Sequence, residues 1–568
     1  MNWLDYTIII VYLIGFVAMG YFFKENKDSK DYFLGGKSLG WFPLSLSTMA
    51  TQLSAISFIS APAFVGLKAN GGLKWLTFEF GVPLAMIGIM FFIIPPLYKS
   101  GIVSIYEYLE RRFSKSTRKL ISVVFQISRA LGTGVMVFTM ALIIQAVVGI
   151  SFHWTLIIIS IVTLIYSYQG GMKAVVWGDA IQMIILFSGL IICLIVGYSL
   201  MEDTGTFTGF NSERLQVIDL SNLGIFQGEE YGFWPMLLGG LFLYLSYYGT
   251  DQTQAQRLLS AKDEGTIRKL LMANGLLRFP VVLVYCIMGL IIGYLVSNIP
   301  EFYQSIQETT RVHYPAEYAA SGIKPDLMMP VFITKYLPNG LIGILMVGIL
   351  SAAMSSLSST INSLSAVTIE DFFNSGKNKL SEKRYMVLSK GLVVFWGVVC
   401  ILAAYLFGNS QSTVIELINA ITSLFYGPIL AAFVIAIFLK KVNHIGMNAA
   451  IITSVAVNLI FKYLPELVYF FTQGQFYSGQ GSIHLALADL GYNNVPDIFW
   501  IWYNLTGFII AILVAVLVSK LTHKVPAKQI EMDYKVSFKD LFKKESIILI
   551  SFFVFILVIS SFLPNILS

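Results

Sequence analysis

The feature that most constrains this chain is a succession of long apolar windows. Fourteen of them, near 3–23, 43–65, 76–98, 120–147, 153–168, 174–200, 233–250, 270–297, 340–373, 386–407, 411–440, 446–468, 497–519 and 546–564, suit helical crossings of about 30 Å of hydrocarbon. Lipid offers no hydrogen bonds to a backbone, so such segments must satisfy their own peptide groups as helices. An all-α integral membrane protein with about 14 transmembrane helices is therefore expected. Composition agrees, because 56% of residues are hydrophobic and only 12% are charged, where soluble domains carry about 25% charge.

Charge sets the orientation. If the N-terminus is outside, alternate loops are cytoplasmic and should collect Lys and Arg. Twenty-eight of the 38 fall there, among them Lys24, Lys27, Arg111, Arg112, Arg118, Arg257, Lys377, Lys379, Lys524, Lys528 and Lys535, against six in the outer loops. One misplaced span would invert every later loop, so the sustained bias supports an even count with both termini outside. The first window carries Asp5 and no preceding cation, so it reads as a span and not a cleaved signal peptide. The net charge of +6 is scattered over short loops without interleaved aromatics, which argues against nucleic-acid binding. Cys193, Cys286 and Cys400 sit singly in apolar runs and read as packing residues.

Polar groups inside spans are costly, so their concentration points to a cavity or to helix contacts. The second window holds Ser45, Ser47, Thr48, Thr51, Gln52, Ser54, Ser57 and Ser60; the ninth holds the run Ser355-Ser356-Leu357-Ser358-Ser359. Adjacent hydroxyls on consecutive positions exceed what one helix contact uses. Hydroxyls and unpaired carbonyls are oxygen ligands suited to a hard monovalent cation, and sodium fits. The five histidines lie in loops or at span edges, against an intramembrane transition-metal site. Among ionisable residues, Asp179 reads as a helix cap or a functional carboxylate, and Glu79 as an interface-seeking or a cavity residue. Arg129, in mid-span, reads as facing a cavity, while Arg278 and Glu416 near span edges read as structural. HExxH does not occur, and the one GxSxG match, Gly36-Lys37-Ser38-Leu39-Gly40, lies in a loop between apolar windows and not in a strand–turn–helix nucleophile elbow, so no enzyme is expected.

Five segments carry a resemblance. They are Asp31-Tyr32-Phe33-Leu34-Gly35-Gly36-Lys37-Ser38-Leu39, Tyr106-Glu107-Tyr108-Leu109-Glu110-Arg111-Arg112-Phe113, the stretch from Tyr166 through Gln169-Gly170-Gly171 to Asp179, Gln256-Arg257, and the serine run. In this order the chain resembles the sodium–solute symporter family over nearly its whole length. The resemblance implies a leucine-transporter-type fold of two inverted five-helix repeats, with a site where the first helix of each is broken. The repeats would be 43–200 and 233–440, with an extra helix and cytoplasmic loop at 1–42 and three further helices over 446–568.

The resemblance also implies roles. Sodium, the coupling ion, would be held by carbonyls of Ala50, Leu53 and Ala352 and hydroxyls of Ser355 and Ser356. A second sodium ion would be held by Asp179, Ser358 and Ser359, which favours two ions over one. Solute contacts would be Ser54, Ser57, Glu79, Arg129, Asn419 and Tyr247 as an aromatic gate. A sugar, polyol or sugar acid is the favoured solute, with a monocarboxylate, vitamin or amino acid as the alternative. The expected partners are this small solute and membrane lipid, with no nucleic acid and no obligate protein partner, in a plasma membrane. A channel or a sensor on a symporter scaffold are the other classes; sodium-driven accumulation against a gradient separates the first from a symporter, and a cytoplasmic signalling domain after the spans would mark the second.

Overall fold

The structure, a computed structural model, describes residues 1–23, 29–205, 209–221, 223–225, 231–374, 380–407, 413–474, 483–492, 495–523 and 538–568. Lys24, Lys27, Lys377, Lys379, Lys524, Lys528 and Lys535 lie outside them, as do residues 411–412 at the start of the eleventh window. Among the described residues there is no strand beyond an isolated parallel bridge between Leu39 and Ala261.

Among the described residues the principal helices, leaving aside shorter ones such as Tyr106–Arg112 and Pro300–His313, are α1 Trp3–Phe22, α2 Trp41–Gln52, α3 Ala55–Gly66, α4 Leu73–Lys99, α5 Lys115–Val148, α6 Phe152–Asp203, α7 Gly240–Gly249, α8 Gln252–Leu259 and α9 Glu264–Asn298. They continue with α10 Leu341–Phe373, α11 Glu382–Ala404, α12 Val414–Phe438, α13 His444–Lys462, α14 Trp500–Leu521 and α15 Lys544–Leu567. Eleven are long and apolar enough to cross a membrane, and α2 with α3, bent by 52°, makes a twelfth if counted as one span.

Two of the sequence windows merge in α6. Its 52 residues would extend about 78 Å as one straight rod, more than twice a hydrocarbon layer. It is interrupted at Gly171, with φ 55° and ψ −148°. A Cβ there would stand 2.5 Å from the Tyr32 carbonyl oxygen, so only glycine allows the short helix Ser29–Leu34 to approach so closely.

Helix α10 lies at the centre, packed on α1, α2, α3, α5, α6 and α8. Every residue from Leu345 to Val367 is buried, as expected of a helix surrounded on all sides. Its start is fixed from α1, since Asp5 Oδ1 accepts the backbone N–H groups of Gly340 and Gly343 at 2.7 and 2.8 Å, a carboxylate at a helix N-terminus. Close approach of small residues sets α3 against α9: a Cβ on Gly289 would meet the Pro62 carbonyl at 2.7 Å, and one on Gly293 would meet Gly66 Cα at 2.7 Å.

Candidate functional site

Two interruptions make the site. Helix α2 stops at Gln52, and Leu53 (φ −83°, ψ 71°) and Ser54 (φ −85°, ψ −179°) leave helical geometry before α3 begins. Ser54 Oγ accepts the Ile56 N–H at 3.3 Å and caps α3. The carbonyls of Ala50, Thr51 and Gln52 thereby lose their donors four residues ahead. Tyr247 OH donates to the Thr51 carbonyl at 3.2 Å, and Ser57 Oγ to that of Gln52 at 3.4 Å. The second interruption separates α7 from α8 at Thr250 (φ −129°) and Asp251 (φ −92°, ψ 127°).

A cavity of about 120 Å³ opens at the first break. All six solute-contact candidates line it: Ser54, Ser57, Glu79, Arg129, Tyr247 and Asn419. So do Leu53 and Ser356 from the first sodium set, while Ala50, Ala352 and Ser355 are buried and do not line the cavity. One cavity is thus bordered by residues from both expected subsites. The second set, Asp179, Ser358 and Ser359, is buried away from the cavity walls.

Three buried guanidinium–carboxylate pairs organise the surroundings. Arg129 Nε donates to Asp251 Oδ2 at 2.5 Å, with the guanidinium over the rings of Tyr247 and Tyr426 at 5.0 and 5.6 Å. Arg278 donates to both Glu79 oxygens, at 2.8 and 3.2 Å. Arg257 Nη2 donates to Asp179 Oδ2 at 2.6 Å and to Ser359 Oγ at 2.5 Å, while its Nε reaches Ser47 Oγ at 2.7 Å. Each cation meets its own anion, so these six residues bring no net formal charge to the interior.

The serine run divides by partner. Ser355 Oγ donates to Asp179 Oδ1, Ser358 Oγ to the Ser355 carbonyl at 2.9 Å, and Ser359 Oγ lies 3.5 Å from Asp179 Oδ2. Ser356 Oγ is buried with no hydrogen-bond partner among the described residues. A buried orphan hydroxyl costs about 1–3 kcal/mol, and a cation ligand is one way to recover it. Ser355, which donates its hydroxyl hydrogen bond to the carboxylate, keeps oxygen lone pairs for the same purpose. The donor set therefore fits sodium.

Several readings change in three dimensions. Asp179 does not cap a helix; it sits eight residues past the break at Gly171, and its carboxylate accepts the side chains of Ser47, Arg257 and Ser355. Glu79 does not reach the outer interface, being 1% exposed and bound to Arg278. Arg278, read as structural, lines the cavity. Arg257, counted with the cytoplasmic-loop cations, is 1% exposed. Asp251 and Arg257 were missed because Thr250-Asp251-Gln252-Thr253-Gln254 reads as a polar loop, although all of α8 is buried. An available signal was Asp251 as an N-cap residue after a glycine-ended helix.

Comparison with known proteins agrees with this geometry. A sodium-coupled monocarboxylate transporter 2 from Bos taurus is 30% identical over 470 residues, 79% of this chain and 71% of the relative. The sodium/iodide cotransporter of Homo sapiens is 28% identical over 436 residues, 76% of this chain and 65% of the relative. A putative sodium-dependent multivitamin transporter of Drosophila melanogaster is 29% identical over 469 residues, 80% and 73% of the two chains. In fold, the chain matches a Na⁺-coupled sialic acid symporter in a substrate-bound outward-open state with a TM-score of 0.73 at 22% identity, covering 93% of this chain and all of the other. The sequence profile of the sodium:solute symporter family matches residues 32–453. With a broken helix, an orphan serine suited to sodium and a shared cavity behind that match, the chain belongs to the sodium:solute symporter family of sodium-coupled membrane transporters.

Proposed function

We propose that this transporter carries a small organic solute bearing a carboxylate, a sugar acid or a monocarboxylate, together with sodium by alternating access. The observation that carries the reading is the single cavity bordered by both Ser356 and Arg129. Ser54, Ser57 and Asn419 supply neutral polar contacts there, Tyr247 closes one wall, and Arg129 lines the same space with a guanidinium donor, Nη2, that is 2.5 Å from Asp251 Oδ2 but not aligned to it. A carboxylate answers that donor. The monocarboxylate relatives are compatible with this class, while sugars and polyols would use the hydroxyl-bearing wall alone.

Sodium would bind the carbonyls of Ala50, Leu53 and Ala352 and the hydroxyls of Ser355 and Ser356. A second sodium ion at Asp179, Ser358 and Ser359 would share its carboxylate with Arg257 and so bind more weakly than the first. The topology we favour has fourteen spans with both termini outside, repeats over 43–200 and 233–440, and residence in a plasma membrane. The break at Gly171 and the interruption between α7 and α8 support that count, since each supplies a boundary the windows require.

Counterflow in proteoliposomes tests the reading. Pyruvate, lactate, sialic acid, gluconate, glucose and proline are offered with and without sodium. Sodium-dependent exchange of a carboxylate, weakened by Arg129→Gln, is the expected result; exchange of glucose or proline alone, or exchange equally fast without sodium, overturns it.

A further inference from the structure

Asp251 stands in the interruption between α7 and α8 and is 1% exposed. Its two oxygens are committed in different directions. Oδ1 accepts the Thr253 backbone N–H at 2.8 Å and caps α8, while Oδ2 faces Nε and Nη2 of Arg129, both at 2.5 Å. A carboxylate free to choose would meet a guanidinium with two parallel hydrogen bonds. Here one oxygen is withheld for the helix, and Arg129 Nη2 is left buried without an aligned acceptor.

From Asp251 the connection continues through the backbone of Thr253. The Thr253 carbonyl accepts Arg257 Nη1 at 2.5 Å, Arg257 Nη2 donates to Asp179 Oδ2 at 2.6 Å, and Asp179 Oδ1 accepts Ser355 Oγ. The series therefore begins at a cavity arginine, crosses the interruption between α7 and α8, and ends at a hydroxyl next to the orphan Ser356. All its members are buried apart from Arg129, which is 12% exposed.

We infer that Asp251 is the positioning residue that couples solute to sodium, by tying Arg129 to the α7–α8 hinge and, through α8 and Arg257, to the Asp179–Ser355 bond. The inference rests on the proposed carboxylate solute. A carboxylate arriving at the donors of Arg129 competes with Asp251 Oδ2 for the guanidinium and loosens its hold on Asp251. On this inference the hinge is the element that responds, because Asp251 holds both the arginine and the first turn of α8. By reciprocity, sodium drawing on Ser355 then changes solute affinity by the same factor that solute changes sodium affinity.

The test is solute binding to the full-length protein in lipid nanodiscs, with pyruvate and sialic acid as probes, at zero and saturating sodium. Coupled sites typically differ by about 5–150-fold between these conditions. Asp251→Asn keeps a good N-cap side chain but removes the charge, and we expect it to bind the carboxylate more tightly without sodium and to shrink the ratio below about threefold. Asp251→Glu keeps the charge but is a poor cap, and serves if the Asn variant fails to fold; the same collapse of the ratio is expected. A purely structural Asp251 would lower thermal stability and leave the ratio at the wild-type value in both variants, which overturns the inference alone. Wild-type carboxylate binding indifferent to sodium, or absent for both probes, removes the proposed function and this inference with it.

Discussion

Arg257 and Asp179 form a buried ion pair, Nη2 to Oδ2 at 2.6 Å, between α8 and the second half of α6. The same carboxylate accepts Ser47 Oγ at 2.6 Å and Ser355 Oγ, so α2, α6, α8 and α10 meet at one side chain. Removing one partner of a buried pair strands the other at a cost of about 3–5 kcal/mol. Asp179→Asn is expected to lower the sodium Hill coefficient toward one and to reduce the protein's melting temperature, while Asp179→Asn with Arg257→Gln recovers the melting temperature but not the Hill coefficient. Dual-isotope counting of a one-to-one sodium flux in the wild type would show that Asp179 is structural only.

Ser356 is expected to behave differently. Its hydroxyl has no hydrogen-bond partner among the described residues, so Ser356→Ala would remove the proposed sodium ligand and an unsatisfied polar atom together. The half-saturating sodium concentration should rise about tenfold, near the 1.4 kcal/mol that a net interaction of this kind contributes, with thermal stability unchanged or higher. An unaltered sodium dependence would exclude Ser356 from the ion site.

Glu79 and Arg278 form a testable cycle. Arg278 Nε and Nη2 span both Glu79 oxygens, and the pair is buried beside Tyr244, Arg278 lying 5.9 Å from that ring. Glu79→Gln should destabilise the fold by about 3–5 kcal/mol, and adding Arg278→Met should return most of it. Additive losses in the melting temperatures of the three variants would mean that the two side chains do not interact.

Gly171 is expected to tolerate nothing larger. Alanine would place a Cβ 2.5 Å from the Tyr32 carbonyl oxygen at a φ of 55°, and both the clash and the left-handed backbone oppose it. Gly171→Ala should fail to accumulate in the membrane at 37 °C, whereas Gly15→Ala, with open space around its position, should express as the wild type does. Equal surface amounts of the two would argue that α6 does not turn at Gly171.

The topology has its own measurement. Single cysteines at Asn2 and Ser568 should react with an impermeant maleimide on intact cells. Labelling only after permeabilisation would remove the arrangement with both termini outside.

Much of the architecture was legible because its cause is local. A backbone in lipid must close its own hydrogen bonds, so apolar length alone marked the helices, and each of the fourteen windows has a helical counterpart. The ninth window could be read as cavity-facing from its hydroxyls, and α10 is buried along its centre. The gap between the windows 153–168 and 174–200 contains Gly171, where α6 is interrupted. The six solute-contact positions, carried over by resemblance, do converge on one cavity.

What only the tertiary structure decided was the pairing of charges. Asp251 with Arg129, Asp179 with Arg257 and Glu79 with Arg278 are separated by 122, 78 and 199 positions. No periodicity relates residues so far apart, because the pairing depends on which helix faces pack together. The sequence alone established a sodium-suited, many-helix membrane protein, since solvation of the backbone and of hydroxyls acts residue by residue. It left Arg257 in a cytoplasmic loop, because a short polar helix looks like a loop until the neighbours that bury it are in place.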